Sequence, residues 1–415
     1  MEGQMKRLLH KAAIILYAMA FHLLHYPRSE KSEHQKKGTK EILIIYNGII
    51  GDGVLFADYL EMFPQIFPVR DGWKISILCR KCCKKVLCEF FHKEYGVNFL
   101  EDFIDDSENL FHKYRSLVGS FRGKYYEKIF ALPIENPCLN RLAFNIAGKE
   151  KIICGENEGE ASDGSWYQRY FYRHAYNVRV QDAMGTMELK RYAGLIGKYG
   201  GNKVPARISH MSLGKENEKE RKEYCVIGLG ASTPEKIWDI ANFAEVIRFI
   251  RKKYRWTVCL CGGEKERFLY GQLKRLIDCE GVECHIGKTS MEEWAGMIRG
   301  AVLYVGNDSA GVHIAASVGT PSVVVVGKWQ YRRFFPYEVE EKTGKEKLPC
   351  AVFSKKQYDC VNCREKHRKK GEGNPACKRA IREGEPCRCL ADITADQVIE
   401  AIEHIMNEKS CAEMG

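Results

Sequence analysis

The chain has 415 residues, a formal net charge of +11 and 18 cysteines. This length is sufficient for two domains of ordinary size, each with a substantial core. Disulfide scaffolds are normally short secreted chains, so cysteines scattered through predicted helices and strands indicate reduced thiols in a cytoplasmic protein. The positive charge fits an acidic ligand or an anionic membrane surface, and it does not single out nucleic acid.

Residues 1–38 differ in composition from the rest of the chain. Lys6, Arg7 and Lys11 precede an apolar run, Ala12–Leu24. As a helix this run spans roughly 20 Å, which is less than the ~30 Å hydrocarbon core of a bilayer. One prediction is an amphipathic helix lying on the inner face of the cytoplasmic membrane. The alternative is a helix packed on the protein's own surface. The polar residues that follow predict a linker.

A strand, a turn and a helix open the first predicted domain, residues 39–205. Glu41–Tyr46 is an apolar run typical of a buried parallel strand, and a helix is predicted from Val54. The glycine-rich turn between them carries Asp52. Rossmann-like domains bind ligands at this turn, although the glycine spacing here is not that of a dinucleotide site. Asp52 is therefore either a helix N-cap or a functional carboxylate on the turn.

Further alternation of strands and helices extends this pattern along the chain. The first domain is predicted to contain strands at Lys74–Leu78, Tyr125–Pro133 and Lys151–Cys154, and a helix at Met187–Tyr199. A charged segment, residues 206–223, predicts an interdomain linker. The second domain, residues 224–393, is predicted to contain strands at Tyr224–Gly228 and Trp256–Cys261, and helices at Ile240–Tyr254, Arg267–Asp278 and Met291–Gly300. Residues 394–415 are predicted to form a terminal helix and tail. This order is typical of a doubly wound α/β fold.

The segment from Val305 to Gly327 is the centre of the second domain. A polar turn, residues 306–309, contains Asn307 and Asp308 and joins an apolar strand to a helix rich in small residues. Small residues at the start of this helix (Ser309, Ala310 and Gly311) leave backbone N–H groups and the positive end of the helix dipole open to an anion. His313 lies one turn further on. The alternative is that Asp308 and Ser309 only cap the helix.

The loop after the first strand of this domain carries Lys236. A fixed ammonium, together with amides at a helix start, would stabilise the negative charge that develops on a departing nucleoside diphosphate. The alternative is a solvated surface lysine.

These motifs resemble those of the heptosyltransferase family, glycosyltransferase family 9. The resemblance extends over about residues 41–407, with the motifs in the family's order. The matching residues are Gly48, Gly51 and Asp52 in the first turn, Gly230, Ala231, Ser232, Lys236 and Trp238 in the loop, Gly262, Gly263, Glu264 and Glu266 in the next turn, and Asp308, Ser309, His313, Ala315, Ala316, Gly319, Thr320 and Pro321. Several places depart from the family's pattern. Gly53 stands where an aliphatic residue is usual, Tyr46-Asn47 where Arg or Lys and a small residue are common, and Leu229 and Asp239 replace two prolines. Ala310-Gly311 replaces Gly-Pro, and the loop at residues 328–337 lacks the family's threonine.

The resemblance implies an α/β fold of the GT-B type, with two Rossmann-like domains that face each other across a cleft. It also implies an inverting glycosyltransferase that moves heptose or a related sugar from a nucleotide-sugar donor, with an ADP-sugar favoured. The acceptor would be a cell-surface glycan, such as lipopolysaccharide, or a lipid-linked glycan. Asp52 would be the general base and Lys236 would stabilise the leaving diphosphate. The donor would bind to Gly230, Ser232, Lys236, Glu264, Asp308, Ser309, Ala310, Gly311 and His313.

No Asp-x-Asp pair occurs in the sequence, so no obvious carboxylate pair would hold a metal-bridged diphosphate. Metal-independent transfer without a cofactor is the prediction. Two other classes remain open. One is a nucleotide-sugar-binding protein without turnover. The other is a nucleic-acid-binding zinc ribbon, which would leave the two Rossmann-like units unexplained, and no nucleic-acid partner is expected.

A cysteine-rich segment, residues 350–389, follows the central motif. Cys360, Cys363, Cys377 and Cys389 have a spacing compatible with four thiolate ligands of a structural zinc ion. Disulfide-bonded and free thiols are the alternatives. In each case the segment is predicted to stabilise the fold rather than to take part in catalysis.

Overall fold

The computed structural model describes residues 40–90, 97–100, 119–121, 123–132, 142–143, 145–155, 174–181, 187–200, 203–208, 210–211, 223–340, 347–356, 383 and 385–413. The predicted membrane-surface helix and most of the predicted linker at residues 206–223 lie outside these ranges. Within them, no helix combines the length and the apolarity needed to cross a membrane.

Parallel strands in the order β3-β2-β1-β4-β5-β6 form the first sheet in the described part of the chain. The side chains at the centre of β1 and β2 are fully buried, as expected for strands covered on both faces. The strands are β1 (Lys40–Tyr46), β2 (Trp73–Cys79), β3 (Val97–Phe99), β4 (Tyr125–Leu132), β5 (Ala147–Gly155) and β6 (Val178–Gln181), and the helices are α1 (Ile50–Leu60), α2 (Phe63–Ile66), α3 (Lys81–Phe90) and α4 (Glu188–Gly200).

The second sheet is also parallel and repeats the same order, β12-β11-β10-β7-β8-β9. Its strands are β7 (Tyr224–Gly228), β8 (Thr257–Leu260), β9 (Val282–Cys284), β10 (Leu303–Asn307), β11 (Ser322–Val325) and β12 (Cys350–Val352). The helices are α5 (Ile240–Tyr254), α6 (Arg267–Leu273), α7 (Met291–Gly300), α8 (Ala310–Ser317), α9 (Arg388–Ala391) and α10 (Ala395–Glu413). In each sheet the strand order reverses beside the first strand, between β1 and β4 and between β7 and β10. Ligands bind at such switch points in doubly wound folds.

Helix α1 differs from its prediction in a way that concerns Asp52. The sequence predicts a helix from Val54, but α1 begins at Ile50, so Asp52 lies in its first turn. The Asp52 carboxylate accepts the N–H of Ile49 at 3.1 Å. The prediction that Asp52 lies on the turn between strand and helix is therefore wrong. The side chain satisfies a free donor at the helix start from inside the helix.

Several bounds of other elements also differ from their predictions. Helix α6 ends at Leu273, five residues before the predicted end at Asp278. Strand β10 extends through Asn307, which was predicted to belong to the turn. The short edge strands β3, β6, β9 and β12 were not predicted.

The starts of α1 and α8, which come from the two halves of the chain, pack against each other. Gly51 makes this approach possible, because a Cβ at that position would lie 2.8 Å from Cδ2 of His313. Backbone hydrogen bonds also join the halves: the Glu188 N–H donates to the Arg333 carbonyl at 2.9 Å. One apolar core includes buried residues of both halves, such as Val54 and Val312. The turn after β1 therefore faces the turn after β10.

Tyr304, on β10, is completely buried beneath the start of α8. Its hydroxyl occupies space left by three glycines. A Cβ built on Gly228, Gly306 or Gly311 would lie 2.3, 2.7 or 2.1 Å from that oxygen. These glycines are therefore required by the packing of one tyrosine.

We expect Gly228→Ala to destabilise the protein by about 1–3 kcal/mol, the usual cost of overpacking a core. Adding Tyr304→Phe should restore most of that loss, since the next nearest ring atom would be 3.3 Å from the new Cβ. Chemical denaturation of the single and double variants measures this coupling. Gly296→Ala in α7 is the control, because its Cβ would meet no described heavy atom within 4 Å. Equal losses in Gly228→Ala and in the double variant would contradict the packing role of the hydroxyl.

Candidate active site

Asn307, the last residue of β10, holds the loop that follows β7. Its side chain is completely buried. The Asn307 Oδ1 atom accepts the N–H of Trp238 at 2.9 Å, and Nδ2 donates to the carbonyl of Leu229 at 2.8 Å. Both ends of the loop are thereby tied to the neighbouring strand. The ring of Trp238 is buried and donates from Nε1 to the carbonyl of Ile393 at 2.8 Å. The loop is therefore held both by the side chain of Asn307 and by the buried ring of Trp238.

Lys236 ends a short 3-10 turn in this loop, Pro234–Lys236. The Lys236 Nζ atom donates to Oδ2 of Asp308 at 2.9 Å, and the two side chains are only 14% and 6% exposed. Gln330 Nε2 donates to the same oxygen at 2.6 Å. Burial alone would raise the pKa of Asp308, but the positive charge of Lys236 and these hydrogen bonds lower it below its ordinary value. Asp308 is therefore an ionised carboxylate that fixes the Lys236 ammonium in place.

The start of α8 lies directly after Asp308. Ser309 occupies the N-cap position with an extended backbone, and its hydroxyl makes no capping bond within the described residues. The first N–H groups of α8 therefore remain open to an anion. Gly311 explains one departure from the family pattern, because a Cβ there would collide with the Tyr304 hydroxyl. The Ala-Gly pair keeps this helix start small.

His313, one turn into α8, is 4% exposed and contacts the opposite half of the molecule. Its Nδ1 atom shares a hydrogen bond of 2.5 Å with the hydroxyl of Tyr337, and its ring stacks on Phe335 at 5.6 Å. Burial lowers the pKa of His313 to about 4, with Asp308 acting against the shift and Lys236 reinforcing it. His313 is therefore neutral near pH 7, so it offers a ligand hydrogen bonding rather than positive charge.

Asp52 lies half-buried at the start of α1, the helix that packs against α8 beside His313. Burial raises the pKa of its carboxyl, and the negative charge of Glu188 adds to that effect. Arg333, the Ile49 N–H and Lys236 act in the opposite direction, but the pKa remains raised. The influence of Arg333 and Lys236 means that Asp52 lies within the electrostatic reach of the loops of the second half. A partly desolvated carboxylate of this kind is well suited to accept a proton.

The two glutamates of the turn after β8 have different surroundings. Glu264 is exposed and forms a two-bond ion pair with Arg267, at 2.6 and 2.7 Å. The carboxylate of Glu266 instead lies over Gly230 and Gly262, where any Cβ would collide with it. Burial raises the pKa of Glu266. Glu266 therefore lies above the ends of β7 and β8, and Glu264 lies at the rim.

The remaining predicted site residues are placed as follows. Gly230 is buried beside Glu266, and Ser232 is exposed on the same loop. Cys389 is buried in α9, where its sulfur accepts the N–H of Lys328 at 3.3 Å. The other predicted zinc ligands, Cys360, Cys363 and Cys377, lie outside the described residues.

Sequence reasoning missed two residues that organise the site, Asn307 and Gln330. The position of Asn307 was a usable signal, because a polar residue at the end of a buried strand must find partners for its amide. Gln330 stands near the position of the family's threonine, and its contact with Asp308 depends on a loop path that no local pattern reveals.

The burial of His313 predicts a measurable pH dependence of stability. The unfolded chain binds the His313 proton below about pH 6.5, and the folded chain binds it only below about pH 4. Stability should therefore fall as the pH drops through this interval, by about 2.5 kcal/mol at pH 4.5. Urea unfolding at pH 7 and pH 4.5 measures the loss.

His313→Gln should remove that contribution, whereas the exposed His210→Gln should keep it. The comparison uses the change between the two pH values, so a constant packing cost of the substitution cancels. An unchanged pH dependence in His313→Gln would show that His313 is not buried in its neutral form.

The sequence of the chain is similar to those of known glycosyltransferases. Residues 158–362 match the family model described as glycosyltransferase family 9 (heptosyltransferase). Lipopolysaccharide heptosyltransferase 3 of Escherichia coli K12 is 32% identical over 108 residues, which are 26% of this chain and 31% of that protein. A second heptosyltransferase 3 from E. coli is 29% identical over 124 residues, 36% of its length. The chain thus matches about a third of the length of these curated relatives.

Solved structures match over a much longer range. A glycosyltransferase family 9 protein from Veillonella parvula has a TM-score of 0.63 at 17% identity, covering 89% of this chain and 98% of that one. E. coli heptosyltransferase WaaC with ADP has a TM-score of 0.58 at 17% identity, with 88% and 98% covered. The iron-containing dodecameric glycosyltransferase TibC from enterotoxigenic E. coli has a TM-score of 0.51 at 15% identity, with 89% and 76% covered.

At these identities the likeness establishes the fold, and the predicted GT-B architecture of two Rossmann-like units is confirmed. The resemblance to glycosyltransferase family 9 is likewise confirmed, by the sequence match over residues 158–362 and by the match to a heptosyltransferase 3 over 108 residues.

Proposed function

We propose that this protein is a glycosyltransferase that moves heptose or a related sugar from a nucleotide-sugar donor to a cell-surface glycan or lipid-linked acceptor. The observation that carries the proposal is the meeting of two helix starts. The start of α1 brings a carboxylate, Asp52, and the start of α8 brings free amides beside the Lys236 ammonium. Transfer of a sugar from a diphosphate needs a base on one side and anion stabilisation on the other.

The donor diphosphate would bind between Lys236 and the start of α8. The Lys236 ammonium is held by Asp308, and Gln330 in turn anchors that carboxylate. The ammonium is therefore oriented before any ligand arrives, so little ordering is required on binding. The N–H groups at Ser309, Ala310 and Gly311 would add hydrogen bonds along the helix dipole. The similarity to a heptosyltransferase solved with ADP favours an ADP-sugar as the donor.

The nucleoside would lie over the ends of β7 and β8, beside Glu266. The carboxylate of Glu266 can accept hydrogen bonds from the hydroxyl groups of a ribose. This carboxylate lies over Gly230 and Gly262, where a residue with a Cβ atom would collide with it. We therefore assign this contact to Glu266 rather than to Glu264, whose carboxylate is already bound to Arg267.

The chemistry that follows is a single displacement. Asp52 takes the proton of the acceptor hydroxyl as its oxygen bonds to the anomeric carbon. The bond from that carbon to the diphosphate oxygen breaks, and the nucleoside diphosphate leaves with the electron pair. The sugar passes through an oxocarbenium-like state, as in glycoside hydrolysis. Attack opposite to the leaving group inverts the anomeric centre.

We also propose that transfer requires no metal ion. The sequence contains no Asp-x-Asp pair. Lys236 and the amides of α8 would supply the positive potential that a divalent cation provides in metal-dependent enzymes.

A protein that binds nucleotide sugars without turnover is the second candidate. It would need the diphosphate site but would have no use for a desolvated carboxylate on the opposite helix. The raised pKa of Asp52 favours turnover, because burying an ionisable carboxyl costs stability that simple binding would not require.

Replacing the proposed base should separate activity from folding. Asp52→Asn keeps the size of the side chain and an oxygen that can accept the Ile49 N–H. Its stability should equal or slightly exceed that of the wild type, because a desolvated carboxyl is removed. Transfer from ADP-heptose to heptose-deficient lipopolysaccharide should fall at least about a hundredfold, with donor binding retained. A variant that transfers sugar at the normal rate would remove Asp52 from the mechanism.

Testing Lys236 requires attention to its buried partner. Lys236→Ala alone would leave Asp308 buried without its cation, which costs about 3–5 kcal/mol. The double change Lys236→Ala with Asp308→Asn removes both charges and should fold. Calorimetry should show ADP binding weakened by about 1.5–3 kcal/mol, the typical contribution of a hydrogen bond to a charged group. Lys265→Ala, on the exposed turn beside Glu266, is the control and should bind ADP normally. Equal affinity in both variants would exclude Lys236 from the diphosphate site.

A further inference from the structure

Three side chains of types that can bind a metal ion lie together on one face of the second sheet, at its edge. Cys259 on β8 pairs in register with Glu283 on β9. His285 follows two residues after Glu283, and side chains two residues apart in an extended segment point to the same face. The register of two strands therefore brings a thiol, a carboxylate and an imidazole together.

The distances in this cluster are close to those of a metal site. His285 Nε2 lies 3.1 Å from Oε2 of Glu283, and Cys259 Sγ lies 4.0 Å from the same oxygen. All three ligand atoms lie within 4.8 Å of one another. Tetrahedral zinc with bonds of about 2.0–2.3 Å places its ligand atoms roughly 3.3–3.8 Å apart. Side-chain movements of about 1 Å would close the set around an ion.

We propose that Cys259, Glu283 and His285 bind a zinc ion, with water in the fourth position. Sulfur, nitrogen and oxygen donors of these types are the ones that zinc accepts. A thiolate and a carboxylate would neutralise the two charges of the ion. Solvent reaches the open side, because the side chains of His285 and Glu283 are 31% and 60% exposed. Cys259, at 5% exposure, forms the buried floor.

An ordinary surface ion pair between His285 and Glu283 is the competing interpretation. In that interpretation the exposed pair contributes little to stability. The Cys259 thiol then only packs in the apolar core and makes a weak hydrogen bond to Glu283. The ion would instead connect β8 to a three-residue edge strand, β9. The Gly287 N–H, just beyond β9, donates to the Gly262 carbonyl at 2.9 Å. The metal would therefore stiffen the pair of turns next to Glu266.

The test is metal binding by the full-length protein and by two single variants. His285→Ala removes a partly exposed ligand, and Cys259→Ser removes the buried one. His210→Ala and Cys279→Ser are the matched controls. The chain also has a separate cysteine-rich segment, so the decisive quantity is the difference in bound zinc between each variant and the wild type. Elemental analysis after equilibrium dialysis against buffered zinc measures it.

We expect the wild type and both controls to hold about one more zinc ion per chain than His285→Ala and Cys259→Ser. The affinity of the variants should fall at least about a hundredfold, more than the loss of an outer-shell partner causes. With cobalt in place of zinc, the difference spectrum between wild type and His285→Ala should have the charge-transfer intensity of one thiolate ligand. If Cys259→Ser does not fold, His285→Ala decides alone. Equal metal content and affinity in wild type and His285→Ala would mean that the cluster is an ion pair only, and would overturn the proposal.

Discussion

The ion pair between Lys236 and Asp308 is the interaction on which the arrangement of the site depends. Two buried opposite charges carry a large desolvation cost, which is offset only when geometry and hydrogen bonding are good. Here the carboxylate oxygen accepts from both Lys236 and Gln330, at 2.9 and 2.6 Å. Asp308 also directly precedes the start of α8. A single carboxylate thus joins the loop after β7, the loop after β11 and the helix start.

The contact between the two halves depends on small residues and a neutral histidine. Gly51 lets the start of α1 approach His313, and burial keeps that imidazole uncharged. A charged histidine there would place positive charge in a desolvated interface. The same contact brings Asp52 near Lys236 and Arg333, whose charges limit the rise of its pKa. Folding and the electrostatics of the proposed base are therefore coupled through one helix–helix contact.

Much of the fold could be predicted because long buried strands have a clear signature. Glu41–Tyr46 and Tyr224–Gly228 are apolar runs bounded by polar or glycine-rich turns, and both are central strands. The capped helix Met291–Gly300 was predicted with its observed bounds. The edge strands β9 and β12 have three residues each, too few for any periodicity to appear. The start of α1 was missed because Gly51 and Gly53 disfavour helix, and packing against α8 overrides that preference.

The candidate site was only partly accessible to sequence reasoning. The motifs identified Asp52, Lys236 and the start of α8, since each lies at a fixed offset from a predicted strand. They left open which glutamate contacts the nucleoside, and the predicted donor set named Glu264. The structure favours Glu266, because the two carboxylates differ in direction and not in sequence context. The ion pair of Lys236 with Asp308 joins residues 72 positions apart. Such a contact follows from the strand order β10-β7, which the sequence does not specify.

A crystal structure of the full chain with an ADP-sugar tests the central claim most directly. The account predicts the diphosphate between Lys236 Nζ and the N–H groups at the start of α8, the ribose beside Glu266, and the anomeric carbon facing Asp52. A diphosphate bound elsewhere, or a sugar directed away from Asp52, would contradict it.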